Sequence, residues 1–167
     1  KDFIITFNTD EISSINKFKT SLLEIYPAKY NHDKNDIKEL LKIDDIDAII
    51  ISATPETTHF PMARDALIAG KHVFLEKPIA IALEEADELI ALAKQKKLKF
   101  TIGYSQRFNP KFAYVKKAIK DGMIGKPVSI LVSRHITRSL GKKIVGRVKL
   151  SPAAMEATHD LDFVFWC

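Results

Sequence analysis

Apolar positions along the chain fall into two rhythms, short continuous runs and recurrences at every third or fourth residue. The runs are strand-like, and the recurrences mark helices with one buried face. Phe3-Ile4-Ile5-Thr6-Phe7 predicts a strand rich in β-forming residues. Ile12, Ile15, Phe18, Leu22 and Ile25 predict a helix that Pro27 stops, and Ala28-Lys29-Tyr30 fits a short edge strand. Asp33 or Asn35 is placed to cap a short helix burying Ile37, Leu40 and Leu41. Residues 46–54 are nearly all apolar, as expected of a strand covered on both faces. A helix follows to Ala69, with Gly70 as its left-handed stop. Residues 72–76 predict the next strand. Ala82, Ala86, Leu89, Ile90 and Ala93 mark another helix, whose polar face carries Glu84, Glu85, Asp87, Lys94 and Lys97. Residues 98–104 form one more strand.

Repeated alternation of strand and helix with short connections argues for an α/β fold with a parallel sheet and right-handed crossovers. The rhythm then changes. Pro110 opens a helix through Ile119 that ends near Gly122. A strand over 127–133 leads into a basic stretch, and Ser151-Pro152 reads as a helix start. Residues 155–167 are strongly apolar and stop without a cap. A boundary near residue 105 separates most of an α/β nucleotide-binding unit, residues 1–105, from the opening of an α+β domain, residues 106–167.

Composition narrows the class only a little. The chain has 167 residues and an ordinary apolar fraction for a globular protein. Cys167 is the single cysteine, so no disulfide forms within one copy, in keeping with a reducing compartment and a cytoplasmic location. No apolar stretch is long enough to span a bilayer as a helix, so no membrane is expected as a partner. The formal charge of +5 is uneven. Between Asp121 and Glu156 there is no acid, while Lys126, Arg134, Arg138, Lys142, Lys143, Arg147 and Lys149 all fall there. Such a stretch either draws an anionic ligand or is a solvated connection. It lacks aromatics for base stacking, so nucleic acid is not expected.

Candidate chemistry sits at two strand ends and one late segment. The strand over 46–54 closes on Ser52-Ala53-Thr54-Pro55, and Val73-Phe74-Leu75 closes on Glu76-Lys77-Pro78. Ligands of parallel sheets lie at the carboxyl ends of the strands. If these two strands pair, the turns emerge on one edge roughly 5 Å apart. Proline holds the preceding Lys77 to extended backbone, which aims it, although a solvated turn lysine fits the same pattern. The Lys77-Pro78 bond is open to the cis form. His59 either faces the same crevice or bonds the start of its helix. His159-Asp160-Leu161-Asp162 follows the small residues Ala153, Ala154, Ala157 and Thr158. His159 is either a proton acceptor or a satisfied core histidine, and Asp160 or Asp162 either orients it or favours a helix start. The five histidines show no metal-ligand spacing, so no metal is expected. Phosphate-loop, nucleophile-elbow and paired-cysteine motifs are absent.

Together these segments resemble the Gfo/Idh/MocA oxidoreductases, relatives of glucose-fructose oxidoreductase and inositol dehydrogenase. The matching stretches, in family order, are residues 46–55 with His59, then 69–78, Gly103-Tyr104-Ser105-Gln106-Arg107-Phe108-Asn109-Pro110, Gly122-Met123-Ile124-Gly125-Lys126-Pro127, and 159–162. The resemblance implies a Rossmann domain that binds NAD or NADP, followed by a domain with a large open sheet used for substrate and oligomer contacts. It implies a sugar, polyol or related carbonyl substrate, anionic if the basic stretch serves it, and a homodimer or homotetramer. Lys77 would bond the reacting oxygen and help position the nicotinamide, and His159 would exchange the hydroxyl proton. Asn8, Thr54, Pro55, His59 and Glu76 would line the cofactor, with Arg107 beside nicotinamide or substrate.

Three departures from the family pattern bear on this. The glycine-rich turn and its strand are absent, so pyrophosphate binding there is not carried by these residues. The chain is therefore expected to be a fragment of a longer product, with another chain or a rearranged strand at the edge the missing strand leaves. Asn8 stands where the family has an acid, which leaves both NAD and NADP open. Met155 stands where an acid often precedes the histidine, with Glu156 one place later. Either Glu156 has another role or the relay reduces to His159. The alternatives to an enzyme are a non-catalytic nucleotide-binding regulator and an inactive fragment.

Overall fold

The computed structural model describes residues 3–7, 34–147 and 151–167. The helix expected around Ile12 to Ile25, the edge strand at Ala28-Lys29-Tyr30, the Asp33 cap and Asn8 lie outside the described residues. The chain divides into two compact units, Lys1–Gly103 and Tyr104–Cys167.

The first unit is built on four strands in the order β1 (Phe3–Phe7), β2 (Ala48–Ser52), β3 (His72–Leu75) and β4 (Phe100–Ile102). β2, β3 and β4 run parallel, with Ile49 opposite Val73 and Val73 opposite Phe100. This is the α/β sheet the alternating pattern calls for. β1 departs from it, running antiparallel to β2 with Phe3 opposite Ser52 and Phe7 opposite Ala48. An open strand edge carries unpaired N–H and C=O groups, and a strand of either direction satisfies them. Here an antiparallel strand covers the edge of β2.

Three described helices join the strands: α1 (Lys34–Leu41), α2 (His59–Ile68) and α3 (Leu83–Gln95). Ile37 and Leu40 of α1 are buried. Gly70, at φ 81°, ends α2 in the left-handed conformation that glycine alone adopts without cost. Glu85 reaches back to accept from the amides of Ile81 and Ala82 at the start of α3. Ala63, Ala66 and Leu67 of α2 and Leu89 and Ala93 of α3 pack over Ile49, Ile51, Val73 and Leu75 in one core. Ile90 lies off that stripe and is exposed.

The expectation of a strand buried on both faces is corrected. Ile50 is half-buried and its neighbour Phe74 is exposed, so among the described residues one face of the sheet is dry and the other is partly open. An apolar run alone cannot separate full from one-sided burial, because both favour β-branched residues. Leu75→Ala therefore removes volume from the dry face. It should lower unfolding stability by about 2–5 kcal/mol, read from the shift in a urea midpoint at constant slope.

The second unit opens with a 3-10 turn, Ser105–Phe108, and continues through α4 (Pro110–Lys120), α5 (Arg138–Arg147) and α6 (Pro152–Trp166). Asn109 caps α4, its side-chain oxygen accepting from the Lys111 amide at 3.0 Å, with Pro110 at the first helical position. Ser151 caps α6 by accepting from the Ala154 amide at 3.0 Å. Phe112 meets Phe163 edge to face at 4.6 Å between ring centres. Ile144 of α5 and Met155 of α6 are buried together.

Two expectations fail in this unit. Residues 127–133 form no strand, and Val128 and Leu131 are 97% and 95% exposed. A strand requires a ladder partner, and none is present among the described residues. Conversely, part of the basic stretch coils into α5. The periodic signal there is only Leu140 and Ile144, diluted by Gly141 and Gly146. Its start is legible in hindsight, since the Thr137 hydroxyl accepts from the Leu140 amide at 3.3 Å.

Candidate functional site

Parallel pairing brings the ends of β2 and β3 to one edge of the sheet. Hydrogen bonding continues past both strand ends. The Glu76 amide donates to Ile51 O at 2.9 Å, and the Gly103 amide donates to Leu75 O at 2.7 Å. The turns Ala53-Thr54-Pro55 and Glu76-Lys77-Pro78 therefore leave from fixed backbone. Both proline bonds, Thr54-Pro55 and Lys77-Pro78, are cis.

The Glu76 carboxylate folds back to accept from the Lys77 amide at 3.1 Å. It does so over Gly103, where a Cβ would lie 3.2 Å from the carboxyl carbon and one carboxyl oxygen. A side chain at position 103 requires that carboxylate to give by a few tenths of an ångström. Thr54 and Pro55 are exposed at the edge, whereas Glu76 and Lys77 are half-buried.

His59 is the first residue of α2. It is 1% exposed, inside the unit. Nδ1 lies 2.7 Å from Pro78 O and Nε2 lies 3.0 Å from Ala53 O. Each ring nitrogen thus lies within hydrogen-bond distance of a main-chain carbonyl, one from each turn.

In the second unit, His159 lies half-buried on α6, just ahead in the chain of Asp160 and Asp162, two carboxylates that are each held by an arginine. Arg134 donates to both oxygens of Asp160, at 2.5 and 2.7 Å, and its guanidinium also lies 3.8 Å from Glu156. Arg107 donates to both oxygens of Asp162, at 2.8 and 2.6 Å. Its guanidinium also lies near the faces of Tyr104 and Trp166, at 5.9 and 5.7 Å. Paired bonds of this kind fix direction as well as distance. Of the alternatives for Glu156, the structure thus gives it a partner in Arg134, and Met155 is core.

The Arg134 hydrogen bonds hold the Asp160 carboxyl below its ordinary range, against the opposing effect of burial. A depressed folded-state value contributes stability above the unfolded carboxyl's value of about 3.9, lost as pH falls through the folded value. Asp160→Asn should therefore lower the melting temperature at pH 7. The gap from wild type should close as pH falls below about 4, measured by Trp166 fluorescence on heating.

The structure thus brings Thr54, Pro55, Glu76 and Lys77 to one strand edge, with His59 beneath it. Arg107, bonded to Asp162, and His159 both belong to the second unit. Asn8 lies outside the described residues. The contacts of two residues, Gly103 and Arg134, escaped sequence reasoning. Gly103 had a readable signal, a glycine closing an apolar strand. Arg134 had none, since its carboxylate partners lie 26 and 22 residues away.

A family model described as "Oxidoreductase family, NAD-binding Rossmann fold" matches residues 9–104. The chain belongs to this family, Gfo/Idh/MocA. Among its relatives, an inositol 2-dehydrogenase of Salmonella paratyphi B is 32% identical over 136 residues, which is 80% of this chain and 39% of that protein. A scyllo-inositol 2-dehydrogenase (NAD(+)) of Bacillus subtilis is 39% identical over 90 residues, 54% of this chain and 26% of its own. The solved scyllo-inositol dehydrogenase of Lactobacillus casei, with bound NAD(H) and scyllo-inositol, is 28% identical with a TM-score of 0.62, over 78% of this chain and 40% of that one. The chain thus spans between 26% and 40% of the length of these relatives. The Gfo/Idh/MocA match takes in Lys77 and His59 and stops before Arg107 and His159. Among the described residues, no helix is long and apolar enough to cross a membrane.

Proposed function

We propose that the full protein is an NAD(P)-dependent dehydrogenase acting on a CH–OH group of a polyol, sugar or related compound. The observation that carries this is the edge of β2 and β3, where Thr54, Pro55, Glu76 and Lys77 leave parallel strands side by side. That edge is where a sheet of this type takes a nucleotide, and its half-buried acid and amine suit the polar carboxamide of a nicotinamide. When bound, the nicotinamide accepts or returns the hydride. The chain does the rest. Lys77 donates a hydrogen bond to the substrate oxygen, stabilising the charge that grows there as its proton leaves. His159 accepts that proton, so the alcohol loses a hydride and a proton and becomes a carbonyl. Thr54, Pro55 and Glu76 line the cofactor, and Asn8 leaves a 2′-phosphate unopposed. Residues 1–105 act as the nucleotide-binding part and residues 106–167 begin the substrate and oligomer part, in a homodimer or homotetramer.

A second reading is a regulator that binds cofactor without turnover, and Met155 in place of an acid favours it. Fluorescence titration of the full chain with NADH and NADPH tests binding. Absorbance at the nicotinamide band, with a panel of neutral and phosphorylated polyols and sugars, tests turnover. Tight binding with no turnover on any member supports the regulator. Within the basic stretch, Arg134 is spent on Asp160 and Glu156, so an anionic substrate would rely on Arg138, Lys142 and Lys143. It predicts a KM that rises with salt.

A further inference from the structure

His59 is the first residue of α2, and the other buried residues of that helix, Ala63, Ala66 and Leu67, are apolar. A buried imidazole in such company is costly unless it is hydrogen-bonded. Its partners are informative. One nitrogen faces the carbonyl of Ala53, the residue before Thr54-Pro55, and the other faces the carbonyl of Pro78, the residue after Lys77. These carbonyls belong to different turns, and a carbonyl can only accept. A singly protonated ring donates to one of them and a doubly protonated ring to both. Donation to Pro78 O alone still joins the second turn to the start of α2, which follows the first turn in the chain. The Lys77 amide is in turn held by the Glu76 carboxylate, which lies over Gly103.

We propose that His59 is a positioning residue, a clamp that locks the Ala53-Thr54-Pro55 turn to the Glu76-Lys77-Pro78 turn and so holds the backbone that aims Lys77. It makes no contact with cofactor or substrate itself. The claim about catalysis rests on the dehydrogenase reading above, but the clamp itself can be tested without turnover.

The test uses the full chain with His59→Phe, which keeps a flat ring and removes both nitrogens, and His59→Gln, which returns a donor. Hydrogen exchange should quicken at least tenfold at the amides of Glu76 and Lys77 in His59→Phe, with a smaller change in His59→Gln. Exchange across 85–95 of α3 should stay as in wild type. Turnover should fall at least tenfold, and His59→Phe should cause no further loss in a Lys77→Ala background. Unchanged exchange at Glu76 and Lys77 overturns the clamp. So does acceleration spread equally over α3, which marks general loosening, or an equal activity loss in the Lys77→Ala background. If the wild-type chain shows no turnover, the dehydrogenase reading fails while the exchange data still decide the clamp. Should His59→Phe not fold, the same comparisons are made with His59→Gln alone.

Discussion

Lys77→Ala in the full chain should lower turnover about a hundredfold or more, the usual consequence of removing a donor aimed at developing negative charge. The expectation comes from how firmly the backbone under this side chain is held. The Glu76 amide is tied to Ile51, the Lys77 amide to the Glu76 carboxylate, and Pro78 through its carbonyl to His59. A long, flexible amine gains direction only from such a base, and ordering it in advance removes an entropic cost from the transition state. Lys77→Arg should not restore the rate, because a planar fork does not present a point donor in the same place. Steady-state rates with the best substrate of the polyol panel, beside a cofactor titration, decide the matter. A loss below tenfold would remove Lys77 from the reaction.

His159→Asn should lower turnover by about 10²–10⁴ while leaving folding intact, the range expected when a proton-transfer group is lost. Folding survives because α6 is held by groups other than the histidine. Its neighbours Asp160 and Asp162 are each gripped by an arginine through two bonds, and Met155 and Phe163 anchor it by packing. The melting temperature should stay within a few degrees of wild type. In combination with Lys77→Ala the losses should not add, since groups that act on one proton transfer fail together. Full additivity, or a turnover unchanged by His159→Asn, would separate the histidine from the chemistry and favour the regulator.

Much of the first unit was legible because its signals are local. Gly70 stops α2, Pro110 opens α4 behind Asn109, and the apolar spacing of Ala86, Leu89 and Ala93 sets the buried stripe of α3. The two strand-end turns were legible for the same reason, as apolar runs closing on Thr54-Pro55 and Lys77-Pro78. The missed features are those that depend on a partner distant in sequence. Residues 127–133 have the composition of a strand, but composition supplies no ladder. α5 has almost no stripe of its own and is helical in a basic, glycine-containing stretch. The burial of His59 could not be read either, because its two acceptors lie 6 and 19 residues away in separate turns.

The sequence by itself determined the α/β order of strands and helices, the change of rhythm near residue 105 and the two proline turns. Each of these follows from side-chain periodicity and backbone stereochemistry within a few residues. Only the tertiary structure decided that β1 pairs antiparallel, that one sheet face is dry and that His59 faces inward. It alone tied Asp160 and Asp162 to Arg134 and Arg107. The reason is physical: hydrogen-bond and charge partners are chosen by proximity in space, and proximity exists only once the strands have paired and the helices have packed.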